Sequence, residues 1–221
     1  MKITKIEIQK KNKNRYSLYM DDVFKCGVHE DVIVYLGLHV NQEISDEMYN
    51  DILLKEVVAK AKADAIKFIS YRMRSVFDVK EKLKTLECGP DVISQVLDFL
   101  EEHNLVNDFE FTKAFIHDKS SISRHSMSKI SYELKKKGIS SDIINKAKTY
   151  YSELGEDFDY ENAKVLSLKK YKQLVVKNKY NEYEIRQKVY QYLSQKGFNI
   201  YLVKEALEDG LYEESLEEPI E

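Results

Sequence analysis

The sequence contains no tryptophan, and only two prolines and seven glycines occur among its 221 residues. Glycine and proline occupy most tight turns and irregular loops, so their scarcity leaves little room for long connections and predicts a mainly helical fold. The two cysteines, Cys26 and Cys88, do not have the spacing of metal ligands or of a redox pair. We expect both to be reduced thiols.

Long hydrophobic runs are also missing. No segment reaches the roughly 18 consecutive apolar residues that a transmembrane helix requires. The first residues alternate between polar and apolar side chains, without the apolar centre of a signal peptide. We therefore expect a cytoplasmic protein with no membrane partner.

Sequence motifs for catalysis are absent as well. All seven glycines are isolated, so no glycine-rich loop is available to cradle a phosphate. The five histidines include no HxH or HExxH pair, and no serine stands in a GxSxG turn. Glu101 and Glu102 are adjacent, so on a helix their carboxylates would diverge rather than form an acid–base pair. The sequence predicts no enzymatic activity, no metal and no cofactor.

Charge is distributed unevenly along the chain. The net charge is −3, yet residues 205–221 hold eight acidic and no basic side chains, which leaves 35 basic against 30 acidic residues before them. Three segments are basic: 55–84 has nine basic and four acidic residues, 113–148 has nine and three, and 164–196 has nine and two. Segment 85–112 has seven acidic and no basic residues. The regular recurrence of basic segments is the strongest functional signal in the composition.

The apolar pattern repeats three times around Leu83, Leu134 and Leu193, which are 51 and 59 residues apart. In the second and third copies a glycine, Gly138 or Gly197, follows the leucine by four residues. A helix that ends at a turn residue and is followed by a second amphipathic helix gives this pattern. The apolar residues that recur at matching offsets are Val79, Ile130 and Val189; Cys88, Ile139 and Phe198; Val92-Ile93, Ile143-Ile144 and Leu202-Val203; and Val96, Ala147 and Ala206.

These patterns predict a mainly α fold, in which three three-helix units form a tandem repeat in an elongated, curved array behind a small N-terminal β element. We expect the acidic tail to be disordered from Glu213 onward and the last helix to span Ile200 to Glu208. The predicted domains are a β element at 1–40, a linker helix with the first repeat at 41–107, the second repeat at 108–154, the third repeat at 155–212, and an acidic tail at 213–221.

Period-two alternation over residues 1–36 predicts a β meander, followed by a short helix from Val32 to Leu36 that Gly37 ends. Such a meander is too small to be stable without a partner surface. Ser45 begins the next helix, which either continues into the first repeat or breaks near Lys55.

The candidate partner-binding or DNA-binding residues are basic side chains on and before the second helices and on the first helix of the last unit. A planar guanidinium suits carboxylates and phosphates, so Arg72 and Arg74 are our first candidates for contacts. These cations are either solvated helix faces or one continuous surface that suits a polyanion or an acidic protein groove. The full set is Arg72, Arg74, Lys80, Lys82, Lys84, Arg124, Lys129, Lys135, Lys136, Lys137, Lys169, Lys170, Lys172, Arg186 and Lys188.

The sequence resembles the RecX family of regulatory proteins over nearly its whole length. The stretches that carry the resemblance are ISYRMRSVFDVKEKL, LVNDFEF, KISYELKKKGI and VYQYLSQKGF, and the opening KITKIEIQKKNKNRYSLYMDD is similar to the N-terminal extension of Firmicute-type members. The resemblance implies a non-enzymatic modulator of the RecA recombinase that lodges in the groove of RecA–DNA filaments. Proteins similar to this one restrain ATP hydrolysis, strand exchange and repressor cleavage.

At the level of residues, Arg72, Arg74 and Ser75 match the family's Arg-x-Arg-Ser, and Lys82-Leu83 matches its Lys-Leu. Gly138 and Gly197 match its helix-ending glycines. The sequence departs from the family pattern at Glu87, where the first repeat lacks that glycine, at Phe111-Thr112 and at Ser126.

Two other interpretations remain open from the residues alone. One is a general DNA-binding helical module, which predicts tight binding to bare DNA with a steep salt dependence. The other is a structural adaptor whose lysines only keep it soluble. The expected partners are RecA and the RecA–DNA filament, with direct DNA contact possible, and nothing in the sequence demands more than a monomer.

Overall fold

The computed structural model describes residues 1–10 and 12–217. Its secondary structure confirms a mainly helical chain behind a small β element. The strands are β1 (Ile3–Gln9), β2 (Asn12–Met20) and β3 (Val23–His29). The helices are α1 (Glu30–Leu36), α2 (Asp46–Ser70), α3 (Val76–Thr85), α4 (Pro90–Glu102), α5 (Asp108–Ser121), α6 (Met127–Lys136), α7 (Ser141–Glu153), α8 (Phe158–Val175), α9 (Glu182–Gln195) and α10 (Ile200–Glu217).

The chain folds as two compact units that divide between Val106 and Asn107. The first unit contains the sheet and one three-helix repeat, and the second contains the other two repeats.

The sheet of the first unit is an antiparallel meander in the order β1-β2-β3, as the alternation predicts. Its inner face is apolar and fully buried at Leu18, Met20 and Val28. These side chains pack with Val32 of α1 and Ile52 of α2, which form the partner surface that so small a sheet requires.

Helix α2 continues through Lys55 without a break for 25 residues. Ser45 caps it by accepting a hydrogen bond from the Met48 amide at 3.1 Å. Near its middle, Glu56 accepts hydrogen bonds from Arg15 Nη2 at 2.5 Å and from the His29 amide at 2.6 Å. The first half of α2 therefore belongs to the core of the sheet, and the second half belongs to the first repeat.

The first repeat consists of the second half of α2 with α3 and α4. Its core contains Leu83 and Leu100, both fully buried, with Ala65 contributed by α2. Ser75 caps α3 by accepting a hydrogen bond from the Asp78 amide at 3.1 Å. Pro90 is the first residue of α4, where its missing N–H costs no hydrogen bond.

The second unit contains the second repeat, α5 to α7, and the third repeat, α8 to α10. Leu134 in the second repeat and Leu193 in the third are fully buried in separate apolar clusters. With Leu83, all three leucines that mark the sequence repeat therefore lie at the centre of a three-helix core.

The unequal spacing of the repeats follows from helix length. Helix α8 has 18 residues where α5 has 14, and α9 has 14 where α6 has 10. The third repeat thus gains about one turn in each of two helices, which accounts for the eight residues by which 59 exceeds 51.

Each second helix ends in a residue with left-handed backbone conformation. Gly138 and Gly197 have φ of 76° and 88°, and Glu87, at the corresponding position of the first repeat, has φ of 59°. A side chain with a Cβ pays about 1–2 kcal/mol for this conformation, whereas glycine does not. Glu87 is therefore a strained helix end.

Replacing Glu87 with glycine is expected to stabilise the first unit by about 0.5–1 kcal/mol, because the relief of backbone strain exceeds the entropy that glycine adds to the unfolded chain. Denaturant-induced unfolding measures the change in the free energy of unfolding. Glu87→Ala is the matched control, since it removes the same charge but keeps the Cβ. Equal stabilisation by both variants would show that charge, not backbone conformation, is responsible.

The last helix is longer than the sequence predicts. Helix α10 continues past Glu208 to Glu217, so the expectation of disorder is wrong for residues 213–217, and residues 218–221 lie outside the described part. Two ion pairs hold this extension to α8, one between Lys164 and Glu213 and one between Lys172 and Glu214.

Candidate partner-binding surfaces

The two arginines of the first repeat lie in the connection between α2 and α3 but have different environments. Arg72 is exposed, whereas Arg74 is half-buried, with its guanidinium carbon 4.1 Å from the ring centroid of Phe68. Burial lowers the pKa of the Arg74 guanidinium, the charge of Arg72 lowers it further, and Asp78 opposes both effects. Arg74 thus has a packing role inside the first unit, and Arg72 is the more accessible of the two.

The lysines of α3 remain mostly accessible. Lys80 is exposed and Lys82 is half-buried, and neither has a carboxylate within 4 Å among the described residues. Lys84 is exposed and forms an ion pair with Glu81 at 2.7 Å. An exposed pair of this kind contributes little to stability and leaves the lysine available to a partner.

Two predicted residues of the second repeat are engaged within the second unit. Arg124 donates from Nη1 to Oδ1 of Asn162 on α8 at 3.5 Å, and Asn162 in turn donates to the Ser120 carbonyl at 2.9 Å. Lys129 has its Nζ 3.3 Å from Nε2 of His125. The Arg124 contact connects the α5–α6 region with the third repeat, whereas the Lys129 contact stays within the second repeat.

His125 lies among several charges at this junction. Its Nδ1 is 3.5 Å from Glu133, which also pairs with Lys119 at 3.2 Å. Burial and the nearby Lys129 lower the pKa of His125, although Glu133 acts in the opposite direction. A neutral imidazole is therefore favoured at this position.

The three consecutive lysines at the end of α6 differ in accessibility. Lys135 is exposed, with no carboxylate within 4 Å in the described ranges. Lys136 is exposed and lies over the Tyr132 ring at 4.5 Å, while Lys137 is half-buried, 5.8 Å from the ring of Phe111. Lys135 and Lys136 place positive charge at the C-terminal end of a helix, where the backbone dipole favours it.

In the third repeat, two predicted cations are paired with the chain's own carboxylates. Arg186 lies 2.5 Å from Glu182 in its own helix and also pairs with Glu208 of α10. Lys172 pairs with Glu214 of α10. Part of the predicted cationic surface is thus occupied from within the molecule.

The other predicted cations of the third repeat lie beside tyrosines or are exposed. Lys170 is 4.9 Å from the ring of Tyr192, and Lys188 is 4.5 Å from the ring of Tyr180. Lys169 is exposed. Such cation–π contacts hold the lysine stems against the surface without removing the charge.

Basic residues of the second helices occupy matching positions in at most two of the three repeats. Counted from the central leucine, Lys84 matches Lys135, and Lys129 matches Lys188, but no position in α3, α6 and α9 is basic in all three repeats. Each repeat therefore presents its own arrangement of charge.

A lysine on the first helix of each repeat was missed by the sequence reasoning. Lys62, Lys113 and Lys164 are each 51 residues apart, and this constant spacing is the signal that could have revealed them. The residue before each lysine is small and buried: Ala61, Thr112 and Ala163.

These lysines all contact the third helix of their own repeat. In the first two repeats the Nζ lies over an aromatic ring, 4.0 Å from that of Phe99 and 4.6 Å from that of Tyr150. In the third repeat, Lys164 forms a 2.5 Å ion pair with Glu213 instead. The third repeat thus replaces a cation–π contact with a contact to an acidic side chain.

Among the described residues, no three or more His, Cys, Asp or Glu side chains come together as possible metal ligands. None of the helices in this part of the chain combines the length and the apolar character of a membrane span.

Four family models match successive parts of the chain. They are the regulatory protein RecX N-terminal domain over residues 1–45 and the first, second and third RecX three-helix domains over residues 61–100, 107–147 and 156–207. Their order agrees with the sheet and the three repeats.

Similar proteins and structures bear the same description. The chain is 35% identical to the regulatory protein RecX of Clostridioides difficile over 80% of its own length and 82% of the relative, and 35% identical to that of Bacillus subtilis over 79% and 66%. A crystal structure of regulatory protein RecX matches 92% of this chain and 97% of its own, with a TM-score of 0.78 and 27% identity. That of RecX from Lactobacillus salivarius, 22% identical, shares the fold with a TM-score of 0.63 over 70% of this chain and 97% of its own. The chain belongs to the RecX family of regulatory proteins.

Proposed function

We propose that this protein is a non-enzymatic cytoplasmic regulator that binds RecA and RecA–DNA filaments. It mostly inhibits ATP hydrolysis, strand exchange and repressor cleavage, and so acts in DNA repair and the SOS response. The observation that carries this proposal is the match of all four RecX domains along the chain. The relatives are named regulatory proteins, which supports a role without catalysis.

Accessible cations on the first two repeats are the proposed contact surfaces. Arg72, Lys80 and Lys82 in the first unit, and Lys135 and Lys136 in the second, have no carboxylate within 4 Å among the described side chains. Cations that form no internal ion pair can make charge-assisted contacts with a partner without first breaking such a pair; four of these five are exposed and Lys82 is half-buried. We also propose that the domains have the boundaries predicted from the sequence and that the protein is a monomer.

Regulation by mass action requires no chemistry from the protein. A molecule that binds one conformational state of a filament more tightly than another increases the population of that state by its difference in affinity. Repeated basic helical units suit a partner that itself repeats along a filament.

The contact surface of the first repeat is tested by the triple substitution Arg72→Gln, Lys80→Gln and Lys82→Gln. We expect the concentration needed for half-inhibition of RecA ATPase on single-stranded DNA to rise on the order of tenfold, equivalent to ~1.4 kcal/mol. Arg74 is left intact because it packs on Phe68. Circular dichroism checks that the helices are retained.

The matched control is Lys2→Gln, Lys13→Gln and Lys25→Gln, which removes three exposed charges in or next to the strands of the same unit. Equal weakening by the two triple variants, or no weakening by the first, would reject the proposed surface. Bare-DNA binding is measured in parallel, since tight binding to DNA without RecA and with a steep salt dependence would favour the general DNA-binding module.

A further inference from the structure

Helix α10 concentrates acidic side chains against the basic face of the third repeat. Five carboxylates lie between its first residue and Glu214, and four of them contact α8 or α9. The contacts join Tyr160 to Asp209, Lys164 to Glu213, Lys172 to Glu214, and Arg186 to Glu208. Carboxylates of the helix thus neutralise three cations of the third repeat, Lys164, Lys172 and Arg186.

The ion pairs near the end of α10 are accessible to solvent. The Lys164 and Glu213 side chains are 18% and 59% exposed, and those of Lys172 and Glu214 are 59% and 38% exposed. The exposed pair of Lys172 and Glu214 contributes little to stability, and both pairs weaken as salt increases because their carboxylates are in solvent. A polyanion of higher charge density can therefore displace these carboxylates from Lys164 and Lys172.

Apolar packing holds α10 from its start as far as Leu211. Val203, Ala206 and Leu207 are fully buried in the core of the third repeat. At Gly210 the helix approaches α8 so closely that a Cβ would lie 2.7 Å from Leu168 Cδ1. Leu211 is half-buried against the same core and is the last residue of α10 that packs there among the described side chains.

Residues 212–217, which we name the acidic segment, follow the last core-packed side chain of the helix and include two larger apolar residues that project into solvent. Tyr212 is 66% exposed and Leu216 is 68% exposed. Displacing the acidic segment would consequently leave the apolar core of the third repeat intact, because the buried residues of α10 precede it.

We propose that the acidic segment is an intramolecular competitor that covers an anion-binding surface centred on Lys164 and Lys172, and that the ligand it holds off is the phosphate backbone of single-stranded nucleic acid. Displacing the segment uncovers cations and little apolar area. A phosphate backbone needs only such charge, whereas stable protein interfaces have an apolar centre.

The proposal is independent of RecA, since it concerns bare nucleic acid. The test substitutes Glu213→Gln and Glu214→Gln in the full chain and measures binding of a fluorescein-labelled oligothymidylate of about 20 nucleotides by anisotropy. The wild-type chain is expected to bind weakly, and the double variant about threefold to tenfold more tightly, because two competing carboxylates are lost.

Matched variants separate local competition from net charge. Glu101→Gln with Glu102→Gln removes two exposed carboxylates of α4 that have no cationic partner among the described residues, and it should not tighten binding. Adding Lys164→Gln and Lys172→Gln to the α10 variant should abolish the gain. Circular dichroism checks helix content in each variant.

Several results would overturn the proposal. One is equal tightening by the α4 and α10 variants, which would indicate a general charge effect. Another is unchanged affinity of a folded α10 variant, and a third is a gain that survives removal of the two lysines. If the α10 variant bound poly-glutamate more tightly than the wild-type chain does, but not the oligonucleotide, the assignment of the ligand would be overturned. The ligand would then be an acidic protein.

Discussion

Replacing Leu134 with alanine is expected to reduce the free energy of unfolding of the second unit by about 3–5 kcal/mol. The side chain is fully buried and packs in one cluster with Ile116, Ile130 and Ile139. Truncation removes the transfer energy of the lost methyl groups and leaves a cavity that surrounding helices fill only in part. The loss is a large fraction of the total stability of a typical domain, about 5–15 kcal/mol. Guanidinium-induced unfolding followed by circular dichroism measures it.

The matched control for this substitution is Leu216→Ala, also within a helix of the second unit. Leu216 is 68% exposed, so its truncation should change stability by no more than about 0.5 kcal/mol. Comparable losses from the two variants would show that Leu134 is not at the centre of a packed core. Leu83 and Leu193 occupy the same place in their repeats and should behave as Leu134 does.

The second large effect is expected at Gly197, the residue that ends α9. Its φ is 88°, and a Cβ there would lie 2.7 Å from Oγ of Ser126. Ser126 is buried and cannot easily give way, because its hydroxyl accepts from the Lys129 amide at 3.2 Å and donates to the Lys196 carbonyl at 3.1 Å. Gly197→Ala should therefore cost about 2–4 kcal/mol, the sum of left-handed strain and overpacking.

Gly155→Ala separates those two contributions. Gly155 has a similar φ of 77° but nothing within 4 Å of the position of a Cβ. This variant should lose only about 1–2 kcal/mol, the cost of the left-handed backbone. If thermal or denaturant unfolding shows equal losses for the two variants, the contact between Gly197 and Ser126 has no energetic weight.

The features that the sequence predicted well are those set by neighbouring residues. Ser45 caps α2, Gly37 ends α1, and Gly138 and Gly197 adopt the left-handed conformation that ends a helix. Each depends on hydrogen bonds or backbone sterics within about one helical turn, so a short stretch contains the necessary information.

The features that could not be predicted depend on residues distant in the chain. The extension of α10 is held by ion pairs such as that between Lys164 and Glu213, 49 residues apart. Composition alone favoured disorder for this acidic stretch, because no local pattern shows that basic side chains of α8 lie beside it. The packing of Arg74 on the ring of Phe68 could not be predicted either, because the sequence does not distinguish an arginine that packs on an aromatic ring from one that is in solvent.

The candidate surface was predicted in part. Charge counting found basic segments but could not separate Lys135, which is exposed, from Arg186, which pairs with two carboxylates. The accessibility of a cation depends on which acids the fold brings to it, and that is a tertiary property.

The continuous helix α2 makes the N-terminal sheet and the first repeat depend on each other. Ile52 belongs to one apolar core and Ala65 to the other, along a single rod of 25 residues. A shortened chain that begins at Asp46 would expose the apolar residues of α2 that pack on the sheet, and these would favour self-association. A chain that stops before Ala61 would lack the half of α2 that completes the core of the first repeat. Truncation studies of the first unit must therefore keep it whole.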